Sequence, residues 1–498
     1  MKRTEQEIIN NFNILKRYAN KAIISQNYEE GFHIINKAAC WMHRFNAIYT
    51  DVDLESVIFS SSRKLYPITK IVSQPENRSI TFIDGFCYDN RCLTQQYLSA
   101  IARSGVKLQY ISLSTNTIGA DIECMLNSMG AEIVRIPNRK YSVVSDGSLI
   151  IRAIADFKPS KLLFHIWPWD VAPIIAGHAI YGIPKYNVNL TDHAFWLGKS
   201  LFDYNLEFRH FGELISLQKR GFKADQIIRM PYYPILPKSN KFLGFKDVPQ
   251  DAVKIFCGGN EYKFIGDDDA FFKIMEILLD ISPKIHILVA GINYNSIFFS
   301  KVKKMRNCER VHNVGFRKDI NEAFRHSDIY LDSYPFSGGL MSQYAGVNSL
   351  PIISLTNPMT GNAINDVICQ KFKATKACNS LEELEEYAKL LIEDEEFRRS
   401  EGKKCNSAMI SEDEFNNNFE KFICNPKLSK FINWTSSQPD YKRILRSYID
   451  NEQHGPFPGD WFLLGALKFK AFYAFPKRSF SFMSKGISYA WMKYKGLV

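Results

Sequence analysis

Apolar residues recur every three or four positions along the first 65 residues, which is the spacing of a helix with one buried face. Ile8, Phe12 and Leu15 follow this spacing first, and Phe32 and Ile35 follow it again further along. We predict a small helical cap over residues 1–65.

From about Arg78 the pattern changes to short apolar runs that alternate with amphipathic segments. The apolar runs are SITFIDGF, VKLQYISL, AEIVRIP and KLLFHIW. Strands that alternate with helices predict right-handed crossovers and a parallel sheet covered on both faces. We therefore predict a first α/β domain over residues 66–236.

Residues 237–251 are polar, contain two prolines and lack periodicity, which is typical of a linker. The alternation then restarts with VKIFCGGN and KIHILVAGI and predicts a second α/β domain over residues 252–425, before a tail over 426–498. The predicted fold class is α/β, with two facing Rossmann-like domains. Two such sheets form a cleft, where the carboxyl ends of the strands offer ligand sites.

The stretch from Asp328 to Pro358 carries the most specific pattern. It predicts a strand over Ile329–Leu331, a glycine turn, a helix from Gly339 to Gly346 and a buried strand over Leu350–Leu355. The turn SGG at the helix start directs free N–H groups and the positive end of the helix dipole at one point. This favours an anion site that suits a diphosphate, whereas an ordinary glycine turn explains the same residues without a ligand.

Composition and charge narrow the class of protein. Hydrophobic residues make up 46% and charged residues 23% of the 498 residues, which indicates a folded protein of two or three domains. The net charge of +11 favours an anionic partner. No recognition motif supports nucleic acid, no cysteine pair has zinc spacing, and no apolar run is long enough to span a membrane. We expect a cytoplasmic protein, either free or peripheral on the inner membrane face.

A lysine follows the first strand of the second domain. Lys263 lies in the glycine loop FCGGNEYKFIG, and a lysine just beyond a strand end can hold a phosphate as a point charge. A solvated surface lysine is the common alternative. The glycine turn about 75 residues later in the same domain favours the phosphate role.

These residues resemble a known family. The string NEYK before an acidic helix start resembles the strand-to-loop element of the O-GlcNAc transferases and the bacterial cytoplasmic N-glycosyltransferases. The string SDIYLDSYPFSGG resembles the phosphate-binding element of that family, and LFDYNLEF resembles a short element that follows its acceptor-side loop. The resemblance covers about residues 160–375 and implies the two-domain glycosyltransferase architecture called GT-B.

The resemblance implies a donor site for a nucleotide diphosphate sugar, with UDP as the nucleotide and no metal or other cofactor. The residues at the corresponding positions are Asn260, Lys263, Asp332, Ser337, Gly338, Gly339 and Leu340. For Asp332, bonds to sugar hydroxyls and bonds to the loop backbone are both open.

The sequence departs from the family pattern in the helix after the turn. Gln343 and Tyr344 stand where the family has an acidic residue that holds the donor ribose. Phe336 and Tyr344 stand where many retaining enzymes of this architecture have glutamates, which favours an inverting transfer.

The loop NLTDHAFWLG supplies the candidates for acceptor activation. Asp192 and His193 are expected between a strand and a helix, where histidine would serve as a base and the carboxylate would orient it. A satisfied structural histidine is the alternative.

The tail from Trp461 to Val498 contains seven lysines and arginines, no acidic residue and many interleaved aromatic residues. This composition suits an interfacial segment on anionic lipid, and it suits equally well terminal helices that pack on the first domain.

We therefore expect a glycosyltransferase that moves a sugar from a nucleotide diphosphate sugar to a glycan or a lipid-linked glycan in surface polysaccharide synthesis. A protein O- or N-glycosyltransferase is one alternative. A non-catalytic protein that binds sugar nucleotides or glycans is another.

Overall fold

Two parallel β-sheets, surrounded by helices, form the framework of the chain. The computed structural model describes residues 3–72, 78–114, 117–137, 142–237, 241–266, 269–424, 438–452 and 459–480. The strands are β1 (Thr69–Lys70), β2 (Ser79–Asp84), β3 (Lys107–Ser112), β4 (Glu132–Arg135), β5 (Lys161–His165), β6 (Ile180–Tyr181), β7 (Lys185–Val188), β8 (Tyr204–Glu207), β9 (Ile227–Arg229), β10 (Val253–Gly258), β11 (Ile285–Ala290), β12 (Val311–Gly315), β13 (Ile329–Leu331) and β14 (Ile352–Ile353).

The α-helices flank these strands on both faces. They are α1 (Glu5–Ile24), α2 (Tyr28–Phe45), α3 (Val52–Leu65), α4 (Thr94–Ser104), α5 (Ala120–Ser128), α6 (Val143–Phe157), α7 (Ala172–Ala179), α8 (His210–Gln218), α9 (Ala270–Ile281), α10 (Ile297–Val302), α11 (Ile320–Arg325), α12 (Gly339–Val347), α13 (Ile364–Val367), α14 (Leu381–Glu393), α15 (Glu395–Ala408), α16 (Glu412–Cys424), α17 (Tyr441–Asn451), α18 (Asp460–Leu467) and α19 (Ala471–Ala474). Within the described residues, no helix is long and apolar enough to cross a membrane.

The first sheet has seven strands in the order β4-β3-β2-β5-β7-β8-β9. Every neighbouring pair is parallel. All six residues of β2 are buried, as expected for a central strand with helices on both faces. In register, Asp84 of β2 lies beside Ser112 of β3 and His165 of β5, so the carboxyl ends of these strands are level.

The second sheet has five parallel strands in the order β12-β11-β10-β13-β14. Strand β10 lies between β11, the next strand along the chain, and β13, which the chain reaches later. The strand order therefore reverses at β10, and the carboxyl end of such a strand is where open α/β sheets bind ligands.

The Asp328–Pro358 stretch forms the predicted strand, turn and helix. The predicted strand over Ile329–Leu331 is β13, and the helix predicted from Gly339 to Gly346 is α12. The strand predicted over Leu350–Leu355 is shorter, because only Ile352 and Ile353 pair with β13. Leu355 instead forms a bridge with Cys378 outside the sheet.

The C-terminal helices return to the first domain. Leu463, Leu467 and Phe475 are buried in the same apolar cluster as Phe32 and Ile35 of α2. The described part of the tail thus packs as terminal helices, which was one of the two interpretations of its composition. Residues 481–498 lie outside the described part of the chain.

Hydrogen bonds join the two domains beside the cleft. Asp366 of α13 accepts from the N–H groups of His210 at 2.8 Å and Phe211 at 3.0 Å, and so caps the start of α8 in the first domain. Arg209 Nη1 donates to the Gly361 carbonyl at 2.9 Å. These contacts fix how the carboxyl ends of the two sheets face each other.

Candidate functional site

A cavity of about 460 Å³ lies between the two sheets, at the carboxyl ends of their strands. Its walls come from both domains, from the N-terminal helix α2 and from the C-terminal helix α17. The lining residues used below are His43, Arg44, Asp192, His193, Arg209, Lys263, Phe336, Ser337, Gly339, Arg443 and Tyr448.

Lys263 stands on the second-domain wall, in a short 3-10 turn that follows β10. Gly259 leads into this turn with φ +154°, a backbone conformation that favours glycine. Lys263 Nζ donates to the Ser337 carbonyl at 3.1 Å, while Phe336 N–H donates to the Lys263 carbonyl at 3.4 Å. The loops that follow β10 and β13 are thus tied together at the cavity.

A bound anion would stabilise the charged form of Lys263. Burial lowers its pKa, and the nearby Asp332 carboxylate partly offsets that effect. The bond to Ser337 is its one hydrogen bond among the described residues, although an ammonium has three donors. Two donors therefore remain for a ligand in the cavity.

Asp332 shapes the turn between β13 and α12. It is 2% exposed and accepts hydrogen bonds from both the backbone and side chains of its surroundings. The donors are Ser333 N–H at 2.9 Å, Gly338 N–H at 2.9 Å, Ser337 Oγ at 2.6 Å, Ser342 Oγ at 3.0 Å and Ser354 Oγ at 3.1 Å. Of the two roles open for Asp332, the geometry favours holding the loop over touching a sugar.

The start of α12 supplies the remaining donors of this wall. The Gly338 N–H is taken by Asp332, and the Ser342 N–H by the Gly338 carbonyl at 3.0 Å. The N–H groups of Gly339, Leu340 and Met341 are those that a helix cannot satisfy itself, and the positive end of its dipole lies here.

Glycine at position 339 leaves space at the cavity. A Cβ built on Gly339 would meet Val367 at 3.5 Å, an ordinary contact, so packing within the protein does not require a glycine. A ligand that approaches the backbone closely would require one. Of the predicted donor residues, Lys263, Ser337 and Gly339 line the cavity, whereas Asp332, Gly338, Leu340 and Asn260 do not. Asp332 and Gly338 bond to each other within the turn, Leu340 has only its N–H at the helix start, and Asn260 is exposed.

Asp192 and His193 stand on the first-domain wall. The expected position between a strand and a helix is wrong, because their loop joins β7 to β8 and α8 begins only after β8. His193 Nδ1 lies 3.0 Å from Asp192 Oδ1, and Arg209 donates to the same carboxylate from Nη2 at 3.1 Å and from Nε.

The Asp192 carboxylate determines which nitrogen of His193 carries the proton. Burial alone would raise the pKa of Asp192, but Arg209 and His193 together hold it well below its usual range. The carboxylate is therefore ionised and can only accept, so Nδ1 of His193 donates to it, and in the neutral form of the ring the lone pair is on Nε2. The His193 side chain is 43% exposed and lines the cavity.

The N-terminal cap holds the His193 loop in place. Asn46, just beyond α2, donates to the His193 carbonyl at 3.1 Å and accepts from the Phe195 N–H at 2.8 Å. From the other side, Arg220 Nη2 donates to the carbonyls of Asp192 at 2.8 Å and Ala194 at 2.6 Å. The cap is thus part of the architecture of the site.

Sequence reasoning missed the contribution of α17. The Tyr448 ring lies 6.4 Å from the His193 ring and 5.7 Å from the Phe336 ring, so this helix bridges the two walls. Arg443 of the same helix also lines the cavity, as do Arg209 and Arg44. Arg209 directly follows the LFDYNLEF element, and this adjacency to a strand end was the one available signal for these three residues.

Two further side chains lie away from the ligand space. Gln343 Nε2 donates to the carbonyls of Tyr232 at 3.3 Å and Ile368 at 3.4 Å, and Tyr344 Oη donates to the Ile235 carbonyl at 3.0 Å. Both positions, where the resembling family has its ribose-binding acid, hold the second domain against the segment before the linker. Among the described residues, no group of three His, Cys, Asp or Glu could hold a metal ion.

Comparison with known proteins gives the fold. No protein-family model and no curated protein sequence matches the chain. The chain is similar to a variant of the O-GlcNAc transferase of Thermobaculum terrenum, with a TM-score of 0.50 and 14% identity over 89% of this chain and 84% of that one.

Two further solved structures give the same picture. Anabaena HepE in complex with UDP has a TM-score of 0.51 and 11% identity, over 69% of this chain and 99% of that one. A glycosyltransferase from Rickettsia africae has a TM-score of 0.50 and 12% identity, over 71% and 100%. At these identities the likeness shows the fold, and the chain has the two-sheet α/β fold of GT-B glycosyltransferases.

Proposed function

We propose that this protein is a glycosyltransferase that moves a sugar from a nucleotide diphosphate sugar to a glycan or a lipid-linked glycan, with inversion at the anomeric carbon. The observation that carries the proposal is one cavity with two complementary walls. An ammonium and a helix start face it from the second domain, and a histidine whose Nδ1 lies against Asp192 faces it from the first.

The second-domain wall binds the diphosphate and stabilises it as it leaves. Negative charge grows on the diphosphate as its bond to the sugar breaks. Lys263 and the N–H groups of Gly339 to Met341 are already oriented, so they stabilise this charge without reorganisation. Arg44, Arg209 and Arg443 line the same cavity and add to its positive potential.

The first-domain wall activates the acceptor. His193 Nε2 accepts the proton of an acceptor hydroxyl while that oxygen bonds to the anomeric carbon and the diphosphate departs with the electrons of its bond. The Asp192 carboxylate, 3.0 Å from Nδ1, stabilises the imidazolium that forms. One displacement of this kind inverts the configuration.

UDP is the first candidate for the donor nucleotide. Anabaena HepE, which has a similar fold, is in complex with UDP. In this chain Gln343 and Tyr344 are occupied by protein contacts, so the ribose must be held by other residues than the acid of the resembling family.

The surface of the tail supports the proposed acceptor class. Phe469 is 85% and Tyr473 is 87% exposed, and both lie in the short helical segment from Lys468 to Ala474. Lys468, Lys470 and Lys477 are exposed in the same segment. Aromatic side chains beside lysines suit an anionic membrane surface, which would hold an enzyme for lipid-linked glycans at the inner face of a membrane.

Replacing Lys263 tests the donor site. Calorimetric titration of UDP, GDP, CDP and ADP should show saturable binding of at least one diphosphate by the wild-type protein. Lys263→Ala should weaken it about ten- to hundredfold, because a charged hydrogen bond to the ligand is lost. Lys273→Ala, which removes an exposed lysine of α9, is the matched control and should bind as the wild type does. Binding by no diphosphate, or equal binding by Lys263→Ala, would refute the donor site.

Replacing His193 separates binding from chemistry. The substrate is the sugar nucleotide whose diphosphate binds in the titration. His193→Ala should form free diphosphate from it about 10²–10⁴ times more slowly than the wild type does, because the base that accepts the proton is gone. Its diphosphate affinity should stay unchanged. His326→Ala, an exposed histidine outside the cavity, is the control. Donor binding without any turnover by the wild-type protein would instead identify a non-catalytic sugar-nucleotide binding protein.

Vesicle sedimentation tests the membrane contact. The protein should sediment with vesicles that contain anionic lipid and not with purely zwitterionic ones. A double variant, Phe469→Ser with Tyr473→Ser, should bind roughly tenfold or more weakly, because two aromatic contacts with the lipid are lost. Phe316→Ser, which removes a 79% exposed aromatic residue elsewhere, should leave binding unchanged. If the double variant binds as the wild type does, the tail is not the membrane contact.

A further inference from the structure

A second cavity, of about 710 Å³, lies between the N-terminal cap and the first sheet. Its floor is at the carboxyl ends of β3, β4 and β5, where Leu113, Ile136 and Trp167 follow the strands. Helices α2 and α18 contribute the opposite wall. The cavity therefore opens on the same edge of the first sheet as the cleft, but beside different strands.

Three tryptophans give this cavity its apolar surface. Trp167 and Trp169 are stacked, with ring centroids 5.4 Å apart and planes 13° apart, and both line the cavity. Trp461 of α18 also lines it and is 53% exposed. An exposed indole that lines a cavity offers a flat apolar face with a polar N–H at its edge.

Polar groups also line this cavity. Asp170 is 8% exposed and accepts a hydrogen bond from the backbone N–H of Trp167 at 3.1 Å. Burial raises the pKa of Asp170 to about 7, so near neutral pH its carboxyl group exists in both a donating and an accepting form. Asn36 and Lys37 of α2 and Asp146 of α6 also line the cavity.

This lining selects the chemistry of a ligand. Two carboxyl groups disfavour an anion such as a nucleotide. Because burial raises the pKa of Asp170 to about 7, its carboxyl group is partly neutral, and the Lys37 ammonium offsets the charge of Asp146, so little net charge remains to attract a cation. The rings require apolar surface, while the carboxyl, amide and ammonium groups require several hydrogen-bonding groups. A neutral pyranose meets both demands, because it carries apolar C–H faces and a rim of hydroxyl groups.

The second cavity and the cleft share a wall. His43, which lines the cleft, packs edge-on against Trp169, which lines the second cavity, with ring centroids 5.3 Å apart. Asn36 Nδ2 donates to the Trp169 carbonyl at 2.8 Å. Asn36 and His43 are seven positions apart in α2, which corresponds to about 10 Å along the helix. A glycan chain of a few sugar units spans such a distance.

We propose that the second cavity binds neutral pyranose units of the acceptor glycan, a few sugars away from the end that receives the new sugar. Its place in the reaction rests on the proposed function, whereas the binding of sugar does not. Trp461 and Asp170 then select the acceptor, while His193 and Lys263 carry out the transfer.

The test is a titration with neutral disaccharides. Maltose, cellobiose, lactose and N,N′-diacetylchitobiose are titrated into the full chain, with saturation-transfer NMR as the readout. At least one should bind saturably. Trp461→Ala should weaken that binding tenfold or more, and Asp170→Asn should weaken it several-fold. Phe316→Ala removes an exposed aromatic residue of the second domain that does not line the cavity, and should bind as the wild type does.

Two outcomes would overturn the proposal: no neutral disaccharide binds the wild-type protein, or one binds with equal affinity to Trp461→Ala and Asp170→Asn. Because Trp461 is half exposed, its replacement leaves the core intact, and a UDP titration on the same samples checks the fold and the donor site. If disaccharide binding depends on Trp461 while no diphosphate binds, the proposed function fails and the sugar site stands. The reverse result leaves the donor site and removes the sugar site.

Discussion

The candidate site depends on one buried carboxylate, that of Asp332. A charge that is 2% exposed is costly unless hydrogen bonds surround it, and here the backbone and hydroxyl groups of the following turn provide them. The hydrogen bonds that satisfy this charge restrict the turn to one compact conformation. That shape directs the start of α12 into the cavity and brings the Ser337 carbonyl within 3.1 Å of Lys263.

The opposite wall is also organised by a buried carboxylate with hydrogen-bonded neighbours. Asp192 is buried after β7 as Asp332 is after β13, and its charge is satisfied by Arg209 and His193. In the proposed function, one carboxylate orients donors towards the diphosphate, and the other orients the imidazole towards the acceptor. The contacts from Asp366 to α8 and from Arg209 to Gly361 then hold the two walls at a fixed separation. The site is therefore defined between the domains rather than within either one.

Local pattern was enough to predict one wall of this site. The apolar run of β13, the glycine turn and α12 are contiguous, and Lys263 lies just beyond a strand, so period and turn chemistry placed them. Asp192 and His193 were predicted as a pair because they are neighbours in sequence, and both line the cavity. The contributions of Asn46, Tyr448 and Arg443 could not be predicted, because each depends on packing between segments that lie far apart in the chain. Asn260 was assigned to the site by its neighbours in the motif, yet the turn of Glu261–Lys263 leaves it exposed outside the cavity.

The most direct test is a crystal structure of the protein with UDP bound. We expect the diphosphate oxygens to lie within hydrogen-bond distance of Lys263 Nζ and of the N–H groups at the start of α12. The β-phosphate, to which a donor sugar would be attached, should face His193. UDP bound away from Lys263 and α12, whether in the cavity beside Trp461 or on the surface, would contradict the account.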